Sequence, residues 1–212
     1  MNARITTAGQ VNPDRLFAFI ERSWLTLVLV LICLGLLGSD SLSSLVAWQR
    51  ASPIGIQAWS AHFSHWSGGH LFWDLLMFGA LAMALEATSR WLLVRLLLIA
   101  PPLITATVFL MENHAIYRGL SGLDCALYAA LAVVAVQKKW LGPALAILAM
   151  GLFAGKCVFE ILNGHPLFVS DLPQGITSVP WAHLSGAAVG GIIACIHPWR
   201  CLKTHGSVNN GK

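Results

Sequence analysis

Residues 119–137 read GLSGLDCALYAALAVVAVQ and carry one charged side chain, Asp124. The run lacks the alternation of apolar and polar residues that marks a half-buried β-strand. A bilayer-spanning helix needs about 20 mostly apolar residues. In lipid its backbone must satisfy its own hydrogen bonds, as a helix does. The stretch therefore predicts a transmembrane helix, and the chain contains five more runs of this kind.

The six runs cover most of the 212 residues. They are expected at about 17–38, 69–87, 91–111, 119–137, 140–162 and 181–198. They predict an all-α membrane protein in which one six-helix membrane domain spans 17–198. A cytoplasmic N-terminal segment, 1–16, and a cytoplasmic polar tail, 199–212, flank this domain. The loop 39–68 is long and rich in Trp, and we expect it to lie in the outer membrane interface.

The composition agrees with this class. The chain is 57% hydrophobic and only 10% charged, whereas a soluble domain carries roughly 25% charged residues. The composition excludes a disordered chain, a nucleic-acid-binding protein and an ordinary soluble enzyme. The five Cys residues show no CxxC spacing, so neither a disulfide framework nor a metal site is predicted. No organic cofactor is expected either.

The 13 Lys and Arg residues predict the orientation. Cytoplasmic loops are enriched in these residues. With the N-terminus inside, two of them lie outside, Arg50 and Arg118, and two lie within spans, Arg95 and Lys156. The other nine lie inside: Arg4, Arg15, Arg22, Arg90, Lys138, Lys139, Arg200, Lys203 and Lys212. Both termini are therefore predicted to be cytoplasmic.

Polar side chains lie in four of the predicted spans. Ionisable groups are costly in a bilayer, and they are functional candidates by default. With both termini inside, all of these side chains fall in the outer half of the membrane. They are His70 and Asp74, Ser121, Lys156 and Glu160, and His183. Singly, each has an interpretation as a packing or interface residue, but their common depth favours a functional site.

A Ser and a His on neighbouring helices are the minimum for nucleophilic acyl transfer. The imidazole takes the hydroxyl proton and later gives it to the leaving amine. Ser121 stands near a helix N-terminus, where free N–H groups can stabilise an oxyanion. His183, Gly186 and Gly190 share one face of the last span, and the two Gly residues allow close packing on the fourth span. We therefore expect His183 to meet Ser121.

These motifs resemble the rhomboid family of intramembrane serine proteases. In that family a GxSG motif opens the fourth helix and a His in the sixth helix completes a Ser–His dyad. Gly119-Leu120-Ser121-Gly122 and His183-xx-Gly186-xxx-Gly190 match these motifs. The family's second helix typically reads His-xxx-Asn with a Glu further along, and His70 and Glu86, with His65 before the span, correspond to this pattern. The resemblance extends over roughly residues 20–198.

The resemblance implies that Ser121 is the nucleophile and His183 the general base. The oxyanion would be held or supported by His70, Asp74 and the backbone of Gly119, Leu120 and Gly122. The substrate would be the transmembrane or juxtamembrane segment of a membrane-anchored protein, entering laterally past the fifth span and the loop 163–180. The expected location is a bacterial inner membrane, with the site facing the outer, periplasmic side.

Two positions depart from the family pattern. Asp74 stands where an Asn usually helps to bind the oxyanion, and it would either be protonated or pair with Arg118 or Lys156. Cys125 stands where an aromatic ring often packs on the catalytic His, so other groups are expected to hold His183.

The pair Lys156-xxx-Glu160 further resembles the rhombosortase branch, whose members are thought to cleave C-terminal sorting tags of exported proteins. Lys156 and Glu160 lie one helical turn apart and can neutralise each other. They would form either a structural ion pair or a site that recognises charge in the substrate.

Two other functions are compatible with the residues. A catalytically silent rhomboid-like protein would bind transmembrane helices without cleaving them. A small transporter or proton-conducting protein would use His70, Asp74, Lys156 and Glu160. The sequence shows no internal repeat that would support a transporter, and the intact Ser121 and His183 favour the protease.

Overall fold

The computed structural model describes residues 13–52 and 54–198. The polar tail 199–212 and most of the segment 1–16 lie outside these residues. The described chain is mostly helical, with two strands of two residues each. The helices are α1 (Pro13–Leu37), α2 (Asp40–Val46), α3 (Gln57–Ser60), α4 (Gly68–Met111), α5 (Ser121–Gln137), α6 (Pro143–Asn163) and α7 (Pro180–Cys195). A 3-10 turn, Ala61–Phe63, follows α3, and the strands are β1 (Trp48–Gln49) and β2 (Ile116–Tyr117).

Three of these helices, α1, α4 and α6, are long and apolar enough to cross a membrane. The prediction of an all-α membrane protein is confirmed at this level. Helices α5 and α7 have 17 and 16 residues, slightly fewer than the roughly 20 of a typical span. The number of spans and their direction stay predictions.

The predicted second and third spans form one element, α4. Its backbone leaves the helical region at Ser89, where φ is −160° and ψ is 97°. The Ser89 hydroxyl accepts a hydrogen bond from the Leu92 amide (3.3 Å), as an N-cap residue does. This break falls between the predicted runs 69–87 and 91–111, so α4 is two helices joined without a loop.

Helix α1 is held to α4 by a buried carboxylate. Glu86 accepts hydrogen bonds from the Thr26 amide (3.0 Å) and hydroxyl (2.7 Å) and from the Leu25 amide (3.2 Å). Arg90 lies one turn further along α4, and its Nε is 3.3 Å from Glu86. A buried charge is tolerated when it is paired and hydrogen-bonded, so Glu86 has a structural role here.

The segment between α1 and α4 folds onto the helices. Trp48 is fully buried and meets Phe109 edge-on, while the Trp59 indole donates to the Leu98 carbonyl (2.9 Å). Strand β1 pairs antiparallel with β2, with Trp48 opposite Tyr117. This pairing fixes the chain just before α5, where the GLSG motif begins.

Helices α5 and α7 form the most extensive helix pair of the fold. A Cβ on Gly186 would collide with the Gly122 carbonyl, and one on Gly190 would collide with the Ala126 carbonyl. The two backbones therefore touch where the side chains are missing, as the sequence predicted. The close contact brings the first turns of the two helices together.

Candidate active site

Ser121 and His183 meet at the start of α5 and α7. Ser121 is the first residue of α5, and His183 lies in the first turn of α7. The His183 Nε2 is 3.0 Å from the Ser121 Oγ. His183 is 4% exposed, whereas Ser121 is half-buried and open to a cavity. This is the distance at which an imidazole can take a proton from a hydroxyl.

Glu160 stands on the other side of the imidazole. Its Oε2 is 3.0 Å from the His183 Nδ1. This distance meets the criterion for an ion pair, but the Nδ1–H bond does not point at Oε2 closely enough to form a hydrogen bond. Glu160 is 1% exposed. Ser121, His183 and Glu160 therefore follow one another in the order hydroxyl, imidazole and carboxylate.

The Glu160 carboxylate has three further partners. The Lys156 Nζ lies 2.8 Å from its Oε1, so the ion pair expected from the spacing is present. The Leu167 amide donates to Oε1 (3.1 Å), and the Ser178 hydroxyl donates to Oε2 (3.2 Å). Leu167 and Ser178 belong to the connection between α6 and α7. One carboxylate thus joins α6, α7 and their connection.

A second buried carboxylate, Asp74, organises the opposite side of the site. Its Oδ2 lies 3.2 Å from the His65 Nε2 and 3.3 Å from the His70 Nε2. The same oxygen accepts a hydrogen bond from the Leu120 amide (2.9 Å). Asp74 therefore pairs with two histidines and with the GLSG backbone.

The pairings considered for Asp74 from the sequence are replaced by these contacts. Arg118 donates instead to the hydroxyls of Ser43 (3.3 Å) and Ser44 (3.0 Å), and it stacks over the Trp66 ring. Lys156 is taken by Glu160. Only Lys and Arg were expected as ionic partners of Asp74, whereas the imidazoles of His65 and His70 contact it.

The loop before α4 supports this arrangement. His65 is 4% exposed, and burial, opposed by Asp74, lowers its pKa. His62 lies 3.1 Å from the Pro101 carbonyl and 3.2 Å from the Thr105 hydroxyl, and burial lowers its pKa to about 4. His62 is therefore neutral at pH 7 and acts as a structural link. The Ala61 carbonyl accepts from the Gly119 amide (3.2 Å).

Gly119 is required by its backbone and by its neighbour. Its φ is +121°, and a Cβ there would lie 2.9 Å from the His70 ring. Only glycine adopts this conformation without strain. The residue lets His70 approach the start of α5. The Leu120 amide donates to Asp74. The first N–H group of α5 without an intrahelical acceptor is therefore that of Ser121.

A cavity of about 450 Å³ opens in front of the Ser121 hydroxyl. Helices α4 to α7 and the connection between α6 and α7 surround it. Its wall is largely apolar and aromatic, with Trp73, Phe153 and Phe168 among the lining residues. Such a cavity, with a few polar groups at one end, is typical of a ligand or substrate site.

The connection between α6 and α7 covers part of this cavity. The Asp171 Oδ2 accepts a hydrogen bond from the Gly69 amide (2.9 Å) at the start of α4. That N–H holds the pKa of the Asp171 carboxyl below its usual range. The Phe168 and Trp73 rings lie 5.6 Å apart. The connection is thus held against the start of α4 by polar contacts of Asp171 and by an aromatic contact.

All the site residues predicted from the sequence lie around this cavity or directly behind it. The sequence did not predict that Glu160 would contact His183. Helical spacing related Glu160 to Lys156 alone, although the common depth of Glu160 and His183 was a signal. The sequence patterns also did not identify Tyr117 and Asp124 as residues that line the cavity.

Comparison with models of known protein families finds no match, and comparison with curated proteins finds none either.

Proposed function

We propose that the chain is an intramembrane serine endopeptidase of the rhomboid type, and that it cleaves the transmembrane or juxtamembrane segments of membrane-anchored proteins. The observation that supports this is the 3.0 Å contact between the Ser121 Oγ and the His183 Nε2 at the end of a cavity. The buried Glu160 carboxylate beside Nδ1 adds the third group of a serine hydrolase. This chemistry needs no metal or organic cofactor.

In the first step, the Ser121 oxygen attacks the carbonyl carbon of the scissile peptide bond. His183 takes the hydroxyl proton on Nε2 and donates it to the leaving amine when the C–N bond breaks. The new amino terminus departs and an ester on Ser121 remains. Water then attacks this ester, with His183 again accepting and returning a proton, and the second product leaves with a carboxyl group.

The negative charge on the carbonyl oxygen needs donors that are already in place. The available donors are the amides of Ser121 and Gly122, in the first turn of α5, and the His70 ring. Asp74 acts indirectly, because its carboxylate accepts from the Leu120 amide and contacts the His70 ring. It is a positioning residue for the oxyanion site.

The finer topology belongs to the same proposal. Division of α4 at Ser89 gives six long helical segments beside the short α2 and α3. The distribution of Lys and Arg supports cytoplasmic termini. Ser121 and His183 begin their helices, whereas Glu160 lies near the end of α6. The site then lies at the outer end of the bundle, in a bacterial inner membrane. The Lys156–Glu160 pair supports the rhombosortase branch, with sorting tags as substrates.

The test is cleavage of membrane-anchored substrates by the full chain in proteoliposomes, with products identified by mass spectrometry. Wild type is expected to release two fragments and Ser121→Ala none. Binding of transmembrane peptides without cleavage by wild type would favour a silent helix-binding protein. Dissipation of a pH gradient that survives Ser121→Ala would favour a transporter.

A further inference from the structure

Five residues of the cavity wall have a buried polar atom without a hydrogen-bond partner among the described residues, and they are His70, Tyr117, Arg118, Asp124 and His183. The rings of His70 and His183 contact carboxylates, and Arg118 donates through its other nitrogens. The Tyr117 hydroxyl and the Asp124 Oδ1 therefore belong to the two side chains of this set that have no polar partner. Tyr117 is 2% exposed and Asp124 is 7% exposed, and both line the cavity that holds Ser121. Leaving such a group unpaired costs about 1–3 kcal/mol, so an unpaired buried group calls for an explanation.

The two other carboxylates that line this cavity are fully engaged. Asp74 contacts two imidazoles and accepts from an amide. Glu160 has contacts with His183, Lys156 and two donors of the connection that follows α6. The Lys156 ammonium is already paired at 2.8 Å. The Asp124 carboxyl is therefore the one acid of this wall that the described chain leaves without a hydrogen bond.

Both groups are fixed close to the nucleophile. Asp124 follows Ser121 by three residues, so the two share one face of α5. The Tyr117 backbone is paired with Trp48, and its ring meets the His62 ring edge-on. A Cβ on Gly122 would lie 3.1 Å from the Tyr117 hydroxyl. The hydroxyl therefore reaches the first turn of α5.

The pair offers one donor and one acceptor. Burial raises the pKa of Tyr117 above its ordinary value, so its hydroxyl stays protonated and can donate. The Asp124 Oδ1 can accept. A neutral side chain that both accepts and donates, such as a hydroxyl or a carboxamide, satisfies both groups. An apolar side chain of the same shape would bury them without partners.

We infer that Tyr117 and Asp124 form a subsite for a substrate residue next to the scissile bond that carries a hydroxyl or a carboxamide. This inference rests on the proposed protease function and names the substrate class. A site built to hydrogen-bond a substrate group discriminates strongly against the analogue that lacks it, because the site's own polar groups stay unpaired. The aromatic wall accommodates the apolar remainder of the substrate segment.

The test uses a membrane-anchored substrate that wild type cleaves, with Thr or Val placed in turn at each position flanking the scissile bond. Thr and Val have nearly the same shape and differ in the hydroxyl. At one position wild type is expected to cleave the Thr substrate about 10- to 100-fold faster in kcat/KM, the equivalent of one buried hydrogen-bonding group. Tyr117→Phe and Asp124→Leu are expected to reduce this ratio to below about threefold, by slowing cleavage of the Thr substrate.

Tyr128→Phe is the matched control. Tyr128 also lines the cavity, but it is only half-buried, so removal of its hydroxyl is expected to leave the Thr/Val ratio unchanged. Labelling of Ser121 by a fluorophosphonate probe checks each variant for a folded, activated site. Absence of labelling in wild type would overturn the protease itself.

Normal labelling with a Thr/Val ratio near one at every position would overturn the subsite and leave the protease standing. A water molecule bound between the two groups would give this second result. A Thr preference that persists equally in Tyr117→Phe, Asp124→Leu and Tyr128→Phe would also overturn the subsite.

Discussion

The two helices that bring groups to His183 from either side are packed very differently. Helix α5, with Ser121, has nine buried residues and touches α7 backbone to backbone at Gly186 and Gly190. Helix α6, with Glu160, has three buried residues among its 21. Most of its surface is apolar and exposed, as suits a helix that faces lipid.

This difference in packing distinguishes the two contacts of His183 on which the proposed chemistry depends. The contact between nucleophile and base depends on two backbones that cannot shift without clashing. The contact between base and carboxylate depends mainly on the polar bonds around Glu160, since only Ala146 and Cys157 are buried beside it in α6. Elements with few buried contacts open most easily, so we propose α6 and the connection after it as the side from which a substrate enters. Four variants probe this contrast, and the most damaging of them is expected to be a change to Glu160 itself.

Glu160→Gln tests whether the loosely packed side contributes to the chemistry. The amide has the same shape but cannot balance the charge on an imidazolium. We expect kcat to fall about 10²- to 10⁴-fold, as for an acid that orients a catalytic imidazole, with KM little changed. The measurement is steady-state cleavage in proteoliposomes. An unchanged kcat would reduce Glu160 to a structural role.

Gly190→Ala tests whether the tight side depends on backbone contact. Its Cβ would collide with the Ala126 carbonyl, and overpacking of this kind costs about 1–3 kcal/mol. The neighbouring Gly191 is the control, because a Cβ there meets nothing within 4 Å. Gly191→Ala is expected to be neutral or to stabilise by up to about 1 kcal/mol.

The free energy of unfolding of the two variants and of wild type is measured by reversible unfolding in mixed micelles. Equal stability of Gly190→Ala and Gly191→Ala would show that the contact between α5 and α7 is more adaptable than its geometry indicates.

Lys156→Met separates the ion pair from the carboxylate itself. The Lys156 side chain is 26% exposed, and a partly exposed ion pair contributes about 0.2–1 kcal/mol. Glu160 keeps its contacts with His183, Leu167 and Ser178 in this variant. We expect kcat to fall by about two- to fivefold. A loss as large as that of Glu160→Gln would show that the ammonium is needed to hold the Glu160 carboxylate beside His183.

Asp171→Asn loosens the cover of the cavity. The pKa of the Asp171 carboxyl is lowered by the Gly69 N–H. The contact is therefore fully present above the ordinary Asp pKa of about 3.9, and it is lost as the pH falls through the lower pKa of the folded state. Because Asp171 is exposed, we expect kcat/KM to change by less than about threefold.

Hydrogen exchange of the Gly69 amide reports the same contact directly. At neutral pH, exchange of the Gly69 amide is expected to be faster in Asp171→Asn than in wild type. In wild type, the protection of this amide is expected to be lost only under strongly acidic conditions. Identical exchange in both proteins at neutral pH would show that the charge of Asp171 is not needed to hold the connection against α4.

The helices and the meeting of Ser121 with His183 could be predicted from the sequence. Apolar run length identifies helices, and the small residues at 186 and 190 identify the contact surface. The Glu160–His183 contact could not be predicted, because helical spacing relates residues within one helix and carries no information about the rotation of α6 towards α7. Of the two imidazoles beside Asp74, His65 could not be predicted, since it comes from a loop whose fold has no periodicity. His70 lies one helical turn before Asp74, so its spacing was a signal that could have been used.

The most direct test of the central claim is labelling of the purified chain by a fluorophosphonate probe. Wild type, Ser121→Ala and His183→Ala would be compared in detergent, with folding of each checked separately. We expect labelling of wild type at Ser121 and none in either variant, because the hydroxyl is reactive only when His183 takes its proton. Folded wild-type protein that does not label, or a His183→Ala variant that labels as fast as wild type, would contradict the account.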